Sequence, residues 1–141
     1  MWEERWGLPI VSVEREYLPA DVEGLVWRDA GGAALGLVTW CADGARAEIV
    51  SLDALQQGRR IGARLLEAAE KELRWRGVRT LRVVTTNDSP RALSFYVRRG
   101  YRLLRLHPDA MDRVRRLKPQ VPLTGNDGIP LSDMWELEKA L

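Results

Sequence analysis

The alternation of apolar and polar residues in the first half of the chain predicts β-strands joined by tight turns. Short runs rich in β-branched and aromatic residues lie at 10–13, 24–27, 33–40 and 47–52. Such runs are typical of half-buried strands. The turn-prone Asp29-Ala30-Gly31-Gly32 and the hairpin signal Asp43-Gly44 separate the later runs. We therefore predict an antiparallel meander for this half of the chain.

The spacing of the apolar residues becomes helical in the middle of the chain. One helical face carries Ile61, Leu65, Leu66, Ala69 and Leu73. Gly77 stands where a glycine ends a helix, and residues 78–86 predict a buried strand. Ser89 before Pro90 predicts the N-cap and first position of a second helix that ends at Gly100.

The last third of the chain predicts a strand at 101–106, a short helix at 108–117, a Pro/Gly-containing loop at 118–130 and a strand at 134–138. The order strand, helix, strand between 45 and 86 predicts a right-handed crossover, which makes strands 45–52 and 78–86 parallel neighbours. We predict a mixed α/β fold: a mostly antiparallel sheet with this central parallel pair, flanked by helices. Ligands of such sheets bind at the carboxyl ends of the parallel strands.

Length and composition predict a single domain over residues 1–141, since 45% hydrophobic and 30% charged residues are ordinary for a globular chain. The net charge of +2 requires neither a nucleic acid nor a membrane as partner. No apolar stretch approaches the roughly 18 residues of a membrane span, and the acidic start at Met1 is not a signal peptide. Cys41 is the single cysteine, which indicates a reducing, cytoplasmic setting. Without a Cys/His cluster we expect no metal.

A candidate phosphate site lies where a predicted strand meets a predicted helix. Its sequence is Gln57-Gly58-Arg59-Arg60-Ile61-Gly62-Ala63. The first N–H groups of a helix are unpaired and attract anions, and glycines let the backbone approach a pyrophosphate. A glycine-tolerant turn that binds nothing explains these residues about equally well. The Gly-Lys-Ser/Thr of a P-loop is absent.

A second pattern follows the buried strand. It consists of Asn87, Ala92, the pair Phe95-Tyr96 and the pair Gly100-Tyr101. This spacing resembles a motif of the GNAT superfamily of acyl-CoA N-acyltransferases. Residues 57–62 resemble the Gln/Arg-x-x-Gly-x-Gly/Ala turn of the same superfamily, and both motifs occur in the superfamily's order.

The resemblance implies a cofactor and a reaction. It implies that the parallel strands splay apart, that acetyl-CoA lies in the gap as co-substrate, and that an amine accepts the acetyl group. The resemblance also implies that the pyrophosphate of acetyl-CoA lies on residues 57–63 and that its pantetheine arm lies along residues 49–53. It places Asn87 among the residues that bind acetyl-CoA. Arg60 departs from the motif, because it stands where the middle glycine is usual. We expect a negative φ at Arg60, as in a first helical turn, which leaves room for a side chain that either clamps phosphate or points to solvent.

Transfer to an amine needs a polarised carbonyl, a base and a proton donor. A backbone N–H near Leu52, at the end of strand 45–52, is the candidate for polarising the carbonyl. The matching tyrosine in the superfamily protonates the departing thiolate, which suggests this role for Tyr96; the alternative is a core tyrosine. Glu48 is the candidate base, and period-two alternation places it on one face with Val50 and Leu52. The alternative for Glu48 is an exposed strand residue.

Other chemical candidates are weaker. Asp53 and Ser51 are second choices for the base, and Cys41 has no histidine near it in sequence for covalent transfer. His107 is expected at the surface or at a cap. The arginine-rich stretch from 91 to 116 is expected to be mostly a solvated helix face.

Three functions therefore compete: an active N-acetyltransferase, a GNAT-fold module that binds acyl-CoA without transfer, and a nucleic-acid- or ribosome-associated protein that uses the arginine stretch. The near-neutral charge disfavours the third function. The link from Val13 to Gly24 is too short for the two helices usual in the superfamily. We expect residues 107–133, part of a C-terminal extension over 107–141, to line the acceptor cleft, and we favour a homodimer over a monomer. The alternative is that this stretch only caps the sheet edge and leaves the cleft open to a large protein acceptor.

Overall fold

The computed structural model describes residues 9–13, 15–55 and 60–141. Its strands are β1 (Ile10–Val11), β2 (Glu16–Tyr17), β3 (Glu23–Arg28), β4 (Ala34–Asp43), β5 (Arg46–Ala54), β6 (Thr80–Thr86), β7 (Arg102–His107) and β8 (Met134–Ala140). Its α-helices are α1 (Ile61–Trp75), α2 (Pro90–Arg98) and α3 (Ala110–Leu117), with 3-10 turns at Pro19–Asp21 and Asn126–Gly128. Among the described residues, no helix has the length and apolar character needed to cross a membrane.

The six longer strands belong to one mixed sheet in the order β3-β4-β5-β6-β8-β7. The predicted α/β fold class is thereby confirmed. The carbonyl of Ala45 accepts hydrogen bonds from the N–H groups of Arg79 and Thr80, at 2.7 and 3.1 Å. Since these residues precede or open β5 and β6, both strands begin at the same end and run in parallel, as the crossover predicts.

The strand predicted at residues 10–13 does not join the six-stranded sheet. Its residues Ile10–Val11 pair with β2 in a separate two-stranded sheet, so the prediction that they open the meander is wrong. A turn in which the Ser12 N–H donates to the Arg15 carbonyl at 2.8 Å joins the two short strands. A partner so close in sequence costs little loop-closure entropy, which favours this local pairing.

The chain divides into two compact units. The first takes the described residues of Met1–Ile10, Glu16–Leu81 and Ala140–Leu141, and the second takes Val11–Arg15 and Arg82–Lys139. The single domain inferred from the length stays a prediction.

In the first unit, helix α1 packs on β4 and β5 through its apolar face. The buried residues of this face are Ile61, Ala63, Leu65, Leu66, Ala69, Glu70 and Leu73. A Cβ added to Gly36 of β4 would lie 2.7 Å from the side chains of Ile61 and Leu65, so this glycine permits the close approach of helix and sheet. Gly77, with a φ of 91°, follows the end of α1 as predicted.

In the second unit, α3 covers a small apolar cluster. Its buried members are Met111, Val114, Leu131 and Met134. Two arginines of α3 bind distant backbone carbonyls: Arg113 donates to Ser12 at 2.9 Å, and Arg115 donates to Pro122 at 2.8 Å and to Leu131. These two arginines therefore tie segments together, and the expected solvated helix face is wrong for them.

Helix α2 ends in a Schellman motif that explains part of the quoted sequence pattern. Gly100 has a φ of 94°, and its N–H donates to the Val97 carbonyl at 3.1 Å. The Tyr101 N–H donates to the Tyr96 carbonyl at 3.1 Å, and the two tyrosine rings meet edge to face with centroids 5.4 Å apart. Such a cap uses left-handed backbone at the glycine, and an apolar contact across it frequently accompanies the motif. The spacing Tyr-x-x-x-Gly-Tyr thus follows from how the helix stops.

Candidate active site

Strand β5 contains a β-bulge at Val50. Thr39 of β4 faces Ser51, whereas the next residue, Trp40, faces Ile49, so Val50 is the extra residue on β5. An extra residue shifts the alternation of every side chain beyond it. The prediction that Glu48 shares a face with Val50 and Leu52 is therefore wrong.

The bulge gathers four buried polar side chains on one face of β4 and β5. Glu48 lies opposite Cys41 on the face that also carries Thr39, Ser51 and Asp53. The hydroxyl oxygens of Thr39 and Ser51 are 2.6 Å apart, and Glu48 and Asp53 are buried. Burial of polar groups costs free energy that their interactions have to offset, so a cluster of them on one face marks a candidate site for chemistry.

The bulge also bears on the expected backbone donor near Leu52. Leu52 itself pairs with Val38, while the irregularity in the ladder lies at Val50, two residues earlier. A bulge leaves the extra residue outside the regular pairing with the neighbouring strand. The role of Leu52 stays a prediction, and Val50 joins it as a candidate that sequence alternation does not reveal.

The candidate phosphate turn is described only in its second half, because Gln57, Gly58 and Arg59 lie outside the described residues. Arg60 is the N-cap of α1 and has left-handed backbone, with φ 52° and ψ 40°. The expected negative φ is therefore wrong: Arg60 precedes the first helical turn, and its Cβ makes this conformation unfavourable by about 1–2 kcal/mol. That conformation gives a physical reason for the glycine usual at this place in the motif.

The first turn of α1 begins with Ile61, Gly62 and Ala63, as the sequence predicts. The carbonyl of Arg60 accepts the first intrahelical bond, from the Arg64 N–H at 2.9 Å. The N–H groups that open a helix have no intrahelical partner and carry partial positive charge. Residues 55–60 separate the end of β5 from this end of α1, which lies in the same unit as Glu48.

Asn87 and Tyr96, the other predicted site residues, lie in the second unit. The Asn87 carboxamide oxygen accepts from the N–H groups of Ser132 and Asp133, each at 3.0 Å, and its nitrogen donates to the Pro130 carbonyl at 2.8 Å. Asn87 therefore fixes the segment before β8, which leaves one amide hydrogen for a ligand. Its predicted part in cofactor binding stays a prediction.

Tyr96 is a buried residue of α2. Its ring meets Phe95 edge to face, with centroids 5.1 Å apart, in addition to Tyr101. Packing alone accounts for the ring, so any chemical role rests on its hydroxyl group.

His107 and Arg82, both half-buried, form an ionic cluster with the buried Glu136, which the sequence analysis missed. Its Nε2 donates to Glu136 Oε1 at 2.8 Å, and Arg82 donates to Glu136 Oε2 at 3.2 Å. The Glu136 side chain is only 5% exposed. His107 ends β7 and is 23% exposed, so what the expectation of a surface or cap position missed is its contact with Glu136. The one available signal was an acidic residue at a core position of β8, on the same face as Met134. Within the described ranges, no three His, Cys, Asp or Glu side chains are grouped to hold a metal ion.

Burial of Glu136 by itself would raise the pKa of this carboxyl. The hydrogen bond from His107 and the charge of Arg82 outweigh burial, so the pKa lies below its usual value. In this cluster the ionised carboxylate is therefore the stable form.

Comparisons with known proteins place the chain among acetyltransferases. Residues 21–103 match the family model described as acetyltransferase (GNAT) domain. The Bacillus subtilis (strain 168) protein YxbD is 35% identical over 141 residues, which cover 99% of this chain and 89% of YxbD.

Solved structures are similar in fold. An IAA acetyltransferase from Bacillus cereus ATCC 14579 aligns with a TM-score of 0.76 and 24% identity, covering 86% of this chain and 79% of that protein. A GNAT family acetyltransferase from Elizabethkingia anophelis, solved with acetyl-CoA bound, aligns with a TM-score of 0.75 and 20% identity, covering 86% and 78%.

The left-handed backbone at Arg60 leads to a stability prediction. Arg60→Gly should raise the free energy of unfolding by roughly 0.5–1 kcal/mol, because relief of the Cβ clash exceeds the added freedom of the unfolded chain. Arg60→Ala is the matched control, since it removes the same guanidinium but keeps a Cβ. Urea unfolding measures both variants. Equal stability of the glycine and alanine variants would contradict strain at this position.

The ionic cluster leads to a pH-dependent prediction. At pH 7, Glu136→Gln should lower the free energy of unfolding by about 1–3 kcal/mol, because Arg82 loses its buried carboxylate. The folded pKa of Glu136 lies below its unfolded value of about 4.3, so the stabilisation is present above that value and is lost as pH falls through the folded pKa. The gap between wild type and variant should therefore shrink below about pH 5.

The measurement for Glu136 is urea unfolding at several pH values between 7 and 3. Glu138→Gln, two residues further along β8, makes the same charge change and should show no such convergence. A gap that stays constant down to pH 3 would exclude the carboxylate charge as its cause.

Proposed function

Because the chain belongs to the GNAT family of acetyltransferases, we propose that it is an N-acetyltransferase that moves the acetyl group of acetyl-CoA directly to an amine in a ternary complex. The observation that carries this proposal is the bulged strand β5. Its polar face holds Glu48 and Ser51, and the strand leads into the anion-attracting start of α1.

Acetyl-CoA binding is assigned to the turn and the start of α1. Unpaired N–H groups at Ile61, Gly62 and Ala63 suit a pyrophosphate. Arg60 is exposed beside them and adds a positive charge. The parts assigned to Gln57, Gly58 and Arg59 rest on the sequence motif. The acetyl-CoA bound to the similar Elizabethkingia anophelis protein supports the same co-substrate here.

Transfer of the acetyl group is assigned to the bulged part of β5. A backbone N–H in the segment from Val50 to Leu52 hydrogen-bonds the thioester oxygen and stabilises its negative charge as the amine nitrogen attacks the carbonyl carbon. Glu48 accepts a proton from the amine. The new bond joins nitrogen to carbon, and the bond between carbon and sulfur breaks.

Tyr96 is assigned the proton that the departing thiolate takes up. A phenol is a weak acid, so a tyrosine hydroxyl that contacts the sulfur donates a proton as negative charge develops there. Its ring is held by Phe95 and Tyr101, which fixes where the hydroxyl lies.

The remaining expectations concern surroundings and assembly. Asn87 holds residues 130–133, which supports the proposal that the segment 107–133 forms a wall of the acceptor cleft.

We also propose that the protein is a homodimer, which light scattering tests. We propose a cytoplasmic location as well, which the single cysteine, Cys41, supports.

The central test combines binding and turnover. Calorimetry should detect acetyl-CoA binding, and a panel of amines should release free thiol in the presence of acetyl-CoA. Binding without thiol release for any amine would indicate a module that holds acyl-CoA without transfer. Absence of binding would overturn the proposed function altogether.

Tyr96→Phe should lower kcat by roughly 10- to 10³-fold, because the thiolate leaves without its proton donor. The ring contacts remain, so acetyl-CoA affinity should change little. Tyr101→Phe, in the same aromatic cluster, is the matched control and should keep kcat within about threefold. Equal kcat in wild type and Tyr96→Phe would reduce Tyr96 to a packing residue.

Glu48→Gln should lower kcat/KM by roughly 10²- to 10⁴-fold, because the amide that replaces the carboxylate does not accept the amine proton. Asp53→Asn on the same face is the control and should lower kcat/KM much less. If Asp53→Asn lowers kcat/KM strongly and Glu48→Gln does not, the base is Asp53. The measurement is the initial rate of thiol release.

A further inference from the structure

A shallow groove of about 310 Å³ lies on the outer part of the first unit's sheet, away from α1. Its floor is formed by Gly24 and Val26 of β3 with Leu37 and Thr39 of β4, and Pro19 and Val22 form one side. The lining is mostly apolar. Glu23 also borders the groove, but its carboxylate is paired with Arg76 at 2.5 Å.

No α-helix precedes β3 within residues 9–13 and 15–22 of the described structure. The link from β2 to β3 holds only a 3-10 turn at Pro19–Asp21, and Pro19 and Val22 of this link border the groove. Gly24 lies in the floor of the groove, where there is no space for a side chain: an added Cβ would clash with the Val38 carbonyl oxygen and lie 3.1 Å from Thr39 Cγ2. Val26 is 44% exposed.

The groove meets the polar face of β5 at Thr39. Thr39 borders the groove, and its hydroxyl oxygen lies 2.6 Å from that of Ser51 on the bulged strand. Leu37, also in the floor, lies directly opposite Asp53. Glu48 lies opposite Cys41, two residues beyond Thr39 on β4. Two buried carboxylates therefore lie on the same face of the sheet as the apolar groove.

We propose that this groove binds the apolar body of the acceptor, and hence that the acceptor is a primary amine carrying an alkyl or aryl group. The inference rests on the proposed function and names its substrate class. The carboxylates of Glu48 and Asp53 attract the ammonium group, while the apolar floor accepts the rest of the molecule. A second charge at the far end of the acceptor would lose its water on Val26 and Leu37 without gaining a partner.

The test compares hexylamine with 1,6-diaminohexane. Both amines have a six-carbon chain, but hexylamine ends in a methyl group and the diamine ends in a second ammonium group. Hexylamine should show a KM lower by about tenfold or more, since the second ammonium of the diamine would keep about two neighbouring methylenes in water, and burial of two methylenes accounts for that factor. A lower KM for the diamine, with acetyl-CoA turned over, would overturn the groove as the acceptor site and leave the transferase intact.

A substitution in the floor of the groove tests whether the groove determines the KM for hexylamine. Val26→Asn should raise the KM for hexylamine by about tenfold and leave the acetyl-CoA Kd unchanged. Val26 is already exposed, so the substitution should not prevent folding. Leu103→Asn is the matched control: Leu103 is 55% exposed on β7, and the change should leave both constants unaltered. An unchanged KM in Val26→Asn would overturn the proposal.

Binding measured without turnover separates this inference from the proposed function. Calorimetry of hexylamine against the protein saturated with CoA reports on the groove alone. Hexylamine binding that Val26→Asn weakens, without thiol release from acetyl-CoA, supports the groove and rejects the transferase. Thiol release with hexylamine that is indifferent to Val26→Asn supports the transferase and rejects the groove.

Discussion

The extra residue at Val50 is the constraint on which the candidate site depends. With strict alternation, Glu48 would point to the same side as Leu52, the side on which α1 packs beside Gly36. A carboxylate there would meet the apolar face of the helix at a considerable cost in free energy. The bulge turns Glu48 to the opposite face while Leu52 stays beneath α1. One inserted residue therefore separates the apolar core from the polar face on the same strand.

The second constraint is backbone conformation at the ends of helices. The start of α1 uses left-handed backbone at Arg60, and the end of α2 uses it at Gly100. Glycine adopts this conformation without strain, whereas the Cβ of Arg60 makes the conformation unfavourable. Retaining an arginine in a conformation that suits glycine is compatible with a use for its charge beside the unpaired N–H groups of α1.

The motif residues of the second unit have structural roles of their own. Tyr96 and Tyr101 pack across the Schellman cap, and Asn87 binds three backbone groups before β8. The spacing of the motif is thus required by the fold whether or not a reaction takes place. A match to the motif predicts the fold more strongly than the chemistry, because the same atoms are needed to end a helix and to hold a loop.

The sequence by itself determined the features that depend on near neighbours. The period of apolar residues placed α1 and the longer strands, and Gly77 and Gly100 marked where helices stop, because helical and strand spacing and left-handed caps are local properties. Only the tertiary structure decided the rest. The register that inserts Val50 and the bond between His107 and Glu136 join residues far apart in the chain. Such pairings depend on how whole helices and strands pack together. The local pattern of residues does not specify which distant residue each one contacts.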